Sequence, residues 1–299
     1  MGKPTVPGVR ARKASRDRSA PLVMVTAYDA PGARTADAAG VDLLLVGDSV
    51  AMVVLGHDDT LSVTVEELAH HTRAVRRASP QALVVADLPW LSYHLSVEDT
   101  IRNAAVLIRA GAQAVKLEGG AKRARMVEAL IDAEIPVMGH LGLTPQSVHT
   151  MGGFRVQART AEAARSLVDD ALAIQAAGAF AVVLEGVPDV VARLVTDALE
   201  VPTIGIGAGP WCDGQVLVYH DVLGLEDRIV PTFVRRYADL KRAGVDALAT
   251  FAADVRTGRF PNETESYHLN TEEAAALGLD RPVQGFSAPS SGAGGGLHA

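Results

Sequence analysis

The chain has 299 residues, with 28 Lys and Arg against 35 Asp and Glu, a formal net charge of −7 that excludes a nucleic-acid surface built on bulk positive charge. Hydrophobic residues make up 48% and charged residues 21%, which supplies apolar material for a large core and excludes wholesale disorder. The single cysteine, Cys212, allows no internal disulfide, and no apolar run reaches the roughly 18 residues of a membrane span.

Residues 1–20 carry Lys3, Arg10, Arg12, Lys13, Arg16 and Arg18 without an apolar stretch. They read as a flexible, solvated basic arm rather than a secretory signal, and a cytoplasmic location is expected. From Leu22 onward, short β-branched or leucine-rich runs alternate with Ala-rich, charge-studded stretches at helical spacing, the pattern of repeated βα units around a parallel sheet. Eight such runs are predicted as strands, at 22–26, 43–46, 83–86, 114–117, 136–139, 181–184, 202–206 and 215–219. Helices are predicted at 64–77, 96–110, 125–133, 160–177 and 189–199. Local chemistry supports them: Ser96 followed by Glu98 and Asp99 makes an N-terminal cap with early negative charge, and Gly111 and Gly178 stand where a left-handed C-terminal residue belongs. Residues 233–256 then carry Phe233, Tyr237, Leu240, Leu248, Phe251 and Val255 at helical spacing, interrupted by Gly244, and predict one or two closing helices.

Eight strands favour an α/β fold closed as a (β/α)8 TIM barrel over an open doubly wound sheet. The expected organisation is the arm at 1–20, a single catalytic barrel at 21–268, and an extension at 269–299 that ends in a flexible Gly/Ser-rich tail. No phosphate-loop motif and no His-x-x-x-His or Cys-x-x-Cys pair occurs. The glycines at 205, 207 and 209 read as a tight backbone bend at a strand end rather than a dinucleotide fingerprint.

In such a barrel the C-terminal ends of the strands form the mouth where chemistry is done. Five predicted strands end there in an ionisable group: Asp48 in LLLVGDS, Asp87 in LVVADLP, Glu118 in AVKLEGG, His140 in PVMGHLG and Glu185 in AVVLEGV. The two-residue period of a strand turns Lys116 and Glu118 inward together, with Leu117 facing the helical layer. Carboxylates gathered at one mouth repel by about 1 kcal/mol per close pair in water and roughly 4 at an effective dielectric near 20. A cation relieves this. Oxygen donors without cysteine select Mg2+ over zinc, held by one or two carboxylates with waters and substrate oxygens completing the shell. A single carboxylate after a strand can instead cap the next helix, Lys116 can be a plain ion-pair partner, and His140 is open to a structural or a substrate-contacting role. His70 and His71 read as helix-surface or packing residues, and His57 stays unassigned.

The segments MVTAYDAP, LLLVGDSVAMVVLGHDDTLSVT, VVADLPWLSY, AVKLEGG, GHLGLTPQSVHTMGGFRVQAR, AVVLEGVP and IGIGAGPWCDGQVLVYHD, in this order, resemble the ketopantoate hydroxymethyltransferase (3-methyl-2-oxobutanoate hydroxymethyltransferase) family from about Leu22 to about Tyr267. The resemblance implies a barrel of the phosphoenolpyruvate mutase/isocitrate lyase-like group and a cytoplasmic homo-oligomer, commonly a decamer. It implies transfer of a hydroxymethyl group from 5,10-methylenetetrahydrofolate to 3-methyl-2-oxobutanoate, giving 2-dehydropantoate for pantothenate and coenzyme A. Asp48 and Asp87 match the Mg2+ ligands, and Glu118 matches a third acidic member that acts directly or through a water. Asp48, Ser49, Asp87 and Lys116 match contacts to the 2-oxo acid, His140 lines its pocket, and Glu185 matches the proton acceptor. The implied partners are therefore the 2-oxo acid and the folate, with no nucleic acid and no membrane.

The chain departs from the family pattern at His149, where Asn is usual, at Ala158, where Gly is usual, and at Gly186, where a larger residue is usual. Two competing readings follow from the residues. A Mg2+-dependent lyase or mutase of the isocitrate lyase group would share the barrel and the enolate chemistry but bring a cysteine-bearing catalytic loop, whereas Cys212 lies in the loop before the last strand. A non-catalytic scaffold is the other, and the joint presence of Asp48, Asp87, Lys116, Glu118 and Glu185 speaks against it.

Overall fold

Eight parallel strands hydrogen-bond in sequence order, and the last pairs with the first to close a barrel. They are β1 (Leu22–Thr26), β2 (Leu43–Val46), β3 (Leu83–Asp87), β4 (Ala114–Glu118), β5 (Val137–Gly142), β6 (Ala181–Glu185), β7 (Thr203–Ile206) and β8 (Gly214–Leu217). The structure is a computed structural model that describes residues 4–14, 20–78, 80–226, 228 and 231–279. The chain divides into two units, residues 1–238 and 239–299.

In the first unit the helices are α1 (Val6–Ala14), α2 (Ala30–Ala38), α3 (Val50–Val53), α4 (Val65–Arg77), α5 (Val97–Ala110), α6 (Ala124–Asp132), α7 (Val148–Met151), α8 (Ala161–Ala176), α9 (Asp189–Ala198) and α10 (Tyr219–Val222). The expected caps are in place. Thr64 and Glu67 form a reciprocal capping box at α4, and Ser96 accepts from the Asp99 N–H at α5. Gly111 ends α5 at φ 114°, where a Cβ would stand 2.4 Å from the Arg76 side chain, so the turn requires glycine for both space and conformation.

Strand alternation divides the core in two. Leu44, Val46, Val84, Ala86, Val115, Leu117, Val182 and Leu184 face outward and pack with the helices. Leu22, Met24, Leu43, Leu83, Val85, Ala114, Met138 and Val183 fill the inside of the barrel. The inner layers are thus packed at the bottom and give way upward to polar residues.

The structure bears on two of the expected boundaries. The arm expected at 1–20 contains the helix α1, whose Val9 is buried in the inner cluster beside Leu22 and Met24, while Lys13 donates to the Thr196 carbonyl and pairs with Asp213 at 2.9 Å. Burial of Val9 and the Lys13 ion pair hold this segment against the barrel floor, so its basic composition did not make it a free arm. Residues 1–3 and 15–19 of the expected arm lie outside the described residues.

The barrel unit ends at 238 rather than 268. The second unit holds one long helix, α11 (Leu240–Arg256), which runs through Gly244 without a break, and a short one, α12 (Thr271–Ala276). On α11 Leu240, Leu248, Phe251 and Val255 are exposed. The Gly/Ser-rich tail expected at the end lies in 280–299, outside the described residues. Among the described residues no helix is long and apolar enough to cross a membrane.

Candidate active site

The strand register carries the acidic residues to one end of the barrel. Asp87 on β3 pairs with Lys116 on β4, Glu118 on β4 with His140 on β5, and Gly142 on β5 with Glu185 on β6. Gly142 adopts φ 89° where a Cβ would come 2.3 Å from the Glu185 carbonyl oxygen, so this close approach depends on a missing side chain. Asp48 lies two residues past β2, and its backbone N–H donates to Asp87 Oδ2 at 3.0 Å. Asp48, Ser49, Asp87, Lys116, Glu118, His140 and Glu185 all line one cavity of about 910 Å³.

Six ionisable side chains meet here, four of them carboxylates. Lys116 Nζ is 3.0 Å from Asp87 Oδ1 and 3.1 Å from His140 Nδ1. His140 Nδ1 lies 3.3 Å from Glu118 Oε1, and its Nε2 lies 3.3 Å from Glu185 Oε2. Asp48, Asp87, Lys116, Glu118 and His140 are buried, while Glu185 keeps 16% of its side chain exposed toward the opening. Ser49 hydrogen-bonds through Oγ to the Tyr28 hydroxyl at 2.8 Å.

Burial and the charges of Asp87 and Glu118 raise the Asp48 carboxyl well above the usual carboxylate range. Asp87 is raised by burial too, against the opposing pull of Lys116. Burial alone would strip Lys116 of its proton, but Asp87, Glu118 and Asp48 outweigh that and hold it above the ordinary lysine value. For Glu118 burial is outweighed by the hydrogen bond and charge of His140, and its carboxyl is lowered. His140 is pushed down by burial and by Lys116, yet Glu118 and Glu185 prevail and raise it to about 9. The protonated ring faces Glu118 and Glu185 as an ion-pair partner at 3.3 Å on either side, off the line of a hydrogen bond, and its Nδ1 also lies within hydrogen-bonding distance of Lys116 Nζ.

Three buried polar atoms at this mouth, Asp87 Oδ1, Glu118 Oε1 and His140 Nε2, have no aligned hydrogen-bond partner. The Lys116 ammonium thus faces Asp87 Oδ1 as an ion-pair partner, off the line of a hydrogen bond. Buried atoms left this way are uncommon and concentrate where a ligand is taken. Such carboxylate oxygens suit a hard cation that binds one or two carboxylates and keeps waters. Among the described residues no three His, Cys, Asp or Glu side chains converge to ligate one ion together. The carboxylates of Asp48, Asp87 and Glu118 are the oxygen donors this mouth offers such an ion.

The departures from the family pattern fall unevenly. His149 is exposed and does not line the cavity. Gly186 does line it, at φ 55°, and Ala158 occupies the left-handed region at φ 54°. Cys212 is buried against Thr203 and Thr196 at the start of β7 and takes no part in the mouth. Sequence reasoning passed over Tyr28 and Gln146. Neither carries a charge at neutral pH, and their contacts, to Ser49 and to Asp48, arise only when distant segments meet.

Residues 5–263 match the family model described as ketopantoate hydroxymethyltransferase. The chain belongs to the ketopantoate hydroxymethyltransferase family. It is 53% identical over 267 residues to 3-methyl-2-oxobutanoate hydroxymethyltransferase of Pelobacter propionicus, covering 89% of this chain and 98% of that one. To the enzyme of the same name from Moorella thermoacetica it is 56% identical over 264 residues, covering 88% and 97%. Membership of this family makes it a transferase of one-carbon units, with a ketopantoate hydroxymethyltransferase function in pantothenate formation. Among solved structures, phosphonopyruvate hydrolase with oxalate and Mg2+ superposes with a TM-score of 0.58 at 15% identity, covering 94% of this chain and 96% of that one. Phosphoenolpyruvate phosphomutase from Streptomyces platensis superposes with a TM-score of 0.57 at 18% identity, covering 92% and 96%. These likenesses show a shared fold, the closed eight-stranded parallel barrel.

Proposed function

We propose that this enzyme uses Mg2+ and 5,10-methylenetetrahydrofolate to hydroxymethylate 3-methyl-2-oxobutanoate, forming 2-dehydropantoate. The observation that carries the reading is the placement of Glu185 on β6, across from Asp48 and Asp87, with Lys116 and His140 between them. Asp48 and Asp87 would hold Mg2+, with Glu118 behind them. The ion, when bound, supplies Lewis-acid polarisation of the oxo acid's carbonyl.

The protein's own groups account for the remaining steps. Lys116 and Ser49 donate toward the substrate's oxygens and stabilise the negative charge that develops there. Glu185 removes the C3 proton: the C–H bond breaks, its electron pair passes into the C2–C3 bond, and charge moves to the carbonyl oxygen. His140, at 3.3 Å from Glu185, faces the carboxylate as its ion-pair partner and favours its orientation toward the substrate. Water hydrolyses the folate's methylene bridge, both of its C–N bonds break to release tetrahydrofolate, and the one-carbon unit is left as formaldehyde. C3 of the enolate bonds to that carbon as the C=O π pair moves to its oxygen, which takes the proton held by Glu185. Pockets for single small ligands span about 300–1,000 Å³. A cavity of about 910 Å³ leaves ample room beside a five-carbon acid for a larger co-substrate.

The competing lyase reading lacks its cysteine, since Cys212 lies away from the cavity. Homo-oligomerisation is proposed on the resemblance alone, and sedimentation velocity measures it.

The test uses purified full-length protein with Mg2+ and both substrates, and separately follows exchange of the oxo acid's C3 hydrogen with deuterium oxide. Product formation and exchange are expected from the parent. Glu185→Gln should bind the acid and lose exchange by about 10²–10⁴-fold. Undiminished exchange in that variant would remove Glu185 from the base role.

A further inference from the structure

We propose that Gln146 is a positioning residue that sets the orientation of both Asp48 and Glu118 without neutralising either. It sits in a single 3-10 turn, Pro145–Ser147, just past β5, and is 5% exposed. The direction of its amide follows from chemistry. The Leu88 carbonyl only accepts, so the amide nitrogen must face it at 3.0 Å, and the same nitrogen donates to Asp48 Oδ2 at 2.7 Å. The amide oxygen then accepts from the Tyr93 hydroxyl at 2.6 Å, and that hydroxyl in turn accepts from the Glu118 N–H at 3.2 Å. The backbone N–H of Gln146 donates to Glu118 Oε2 at 3.0 Å.

The circuit joins the upper ends of β2, β3, β4 and β5 through one residue, the side-chain amide reaching Asp48, Leu88 and Tyr93 and the backbone N–H reaching Glu118. One oxygen on each of two carboxylates is committed to a neutral donor, so neither group can rotate freely about its last bond. A lysine at this position would orient the carboxylates equally well but would compete with a cation for their charge. An amide orients and leaves the charge in place. The turn Pro145–Ser147 is thereby tied to the same carboxylates that the strands deliver, which couples loop to mouth.

The inference rests on the Mg2+-dependent reading above and is tested so that the two can fail separately. Full-length parent, Gln146→Met, Tyr93→Phe and the double variant are titrated calorimetrically with 3-methyl-2-oxobutanoate at fixed Mg2+. Initial rates against Mg2+ concentration are measured beside them. Met keeps the volume and removes the amide, and Tyr93→Phe removes the donor to the amide oxygen together with the acceptor of the Glu118 N–H. Gln146→Met is expected to raise the dissociation constant and the half-saturating Mg2+ by about 10–100-fold, as second-layer partners of metal ligands do, while kcat at saturating Mg2+ changes less than about threefold. Tyr93→Phe should move the same quantities in the same direction by less, and should add nothing in the Gln146→Met background. A merely structural role would lower the melting temperature and the yield of active protein with both constants unmoved. Parent-like constants in Gln146→Met overturn the inference while leaving the reaction intact. Should Gln146→Met fail to fold, parent-like constants in Tyr93→Phe overturn it. A parent that does not bind the acid in the presence of Mg2+ overturns both.

Discussion

The two ends of the barrel are made by the same eight strands and treat polarity in opposite ways. At the floor, Leu22, Met24, Leu43 and Leu83 close the interior, Val9 of α1 completes it, and the half-buried carboxylate Asp213 is held through Oδ2 by Lys13 and by the Thr203 N–H and hydroxyl. At the mouth, four carboxylates face two cationic groups, and Asp87 Oδ1, Glu118 Oε1 and His140 Nε2 lack aligned hydrogen bonds. The mouth's connecting loops also hold two non-glycine residues in the left-handed region, Leu91 at φ 68° and Ala158 at φ 54°. Such features cost stability and persist where a ligand is to be received. The floor holds the fold together, and the mouth draws on that stability.

The comparison fails if a substitution at the mouth disturbs folding more than binding. Asp87→Asn removes one of the mutually repelling charges and keeps an acceptor for the Asp48 N–H, although Lys116 loses its nearest counter-charge. Mg2+-dependent binding of 3-methyl-2-oxobutanoate should weaken on the order of 100-fold, as measured by calorimetry. The melting temperature should move by no more than about 4 °C in either direction. The floor should respond the other way round. Val9→Ala deletes buried methyl groups and should lower stability by about 2 kcal/mol in denaturant titration, with kcat and KM within about twofold of the parent. A change of KM in that variant would show that the two ends are not independent. The smallest effect sharpens the contrast: Ala158→Gly relieves a left-handed alanine and should stabilise the protein by about 1 kcal/mol, the entropy of the added glycine offsetting part of the gain. Unchanged stability would mean that the loop tolerates this conformation without strain.

Much of this architecture was legible in the sequence. Buried parallel strands are apolar on both faces, so β1 and β2 stood out to the residue, and the helix cap Ser96 announced α5. The acids were legible because strand ends select one side of the barrel, whatever the loops do. β5 runs on through His140 to Gly142, longer than its apolar run, because glycine and histidine interrupt the pattern without interrupting the ladder. The helix α2 escaped notice since its buried face is only Gly32, Ala33 and Ala36, too small to register as an apolar stripe. Gln146 escaped for another reason: a neutral amide in a turn has no period and no charge, and its partner Asp48 is 98 residues away in the chain.

The short helix α1 also bears on how the protein is best produced. A truncation beginning at residue 20 would uncover Leu22 and Met24 and strand the Asp213 carboxylate without its ammonium neighbour. An affinity tag fused directly ahead of Thr5 would crowd the turn that seats Val9, so a purification handle needs a spacer before that point.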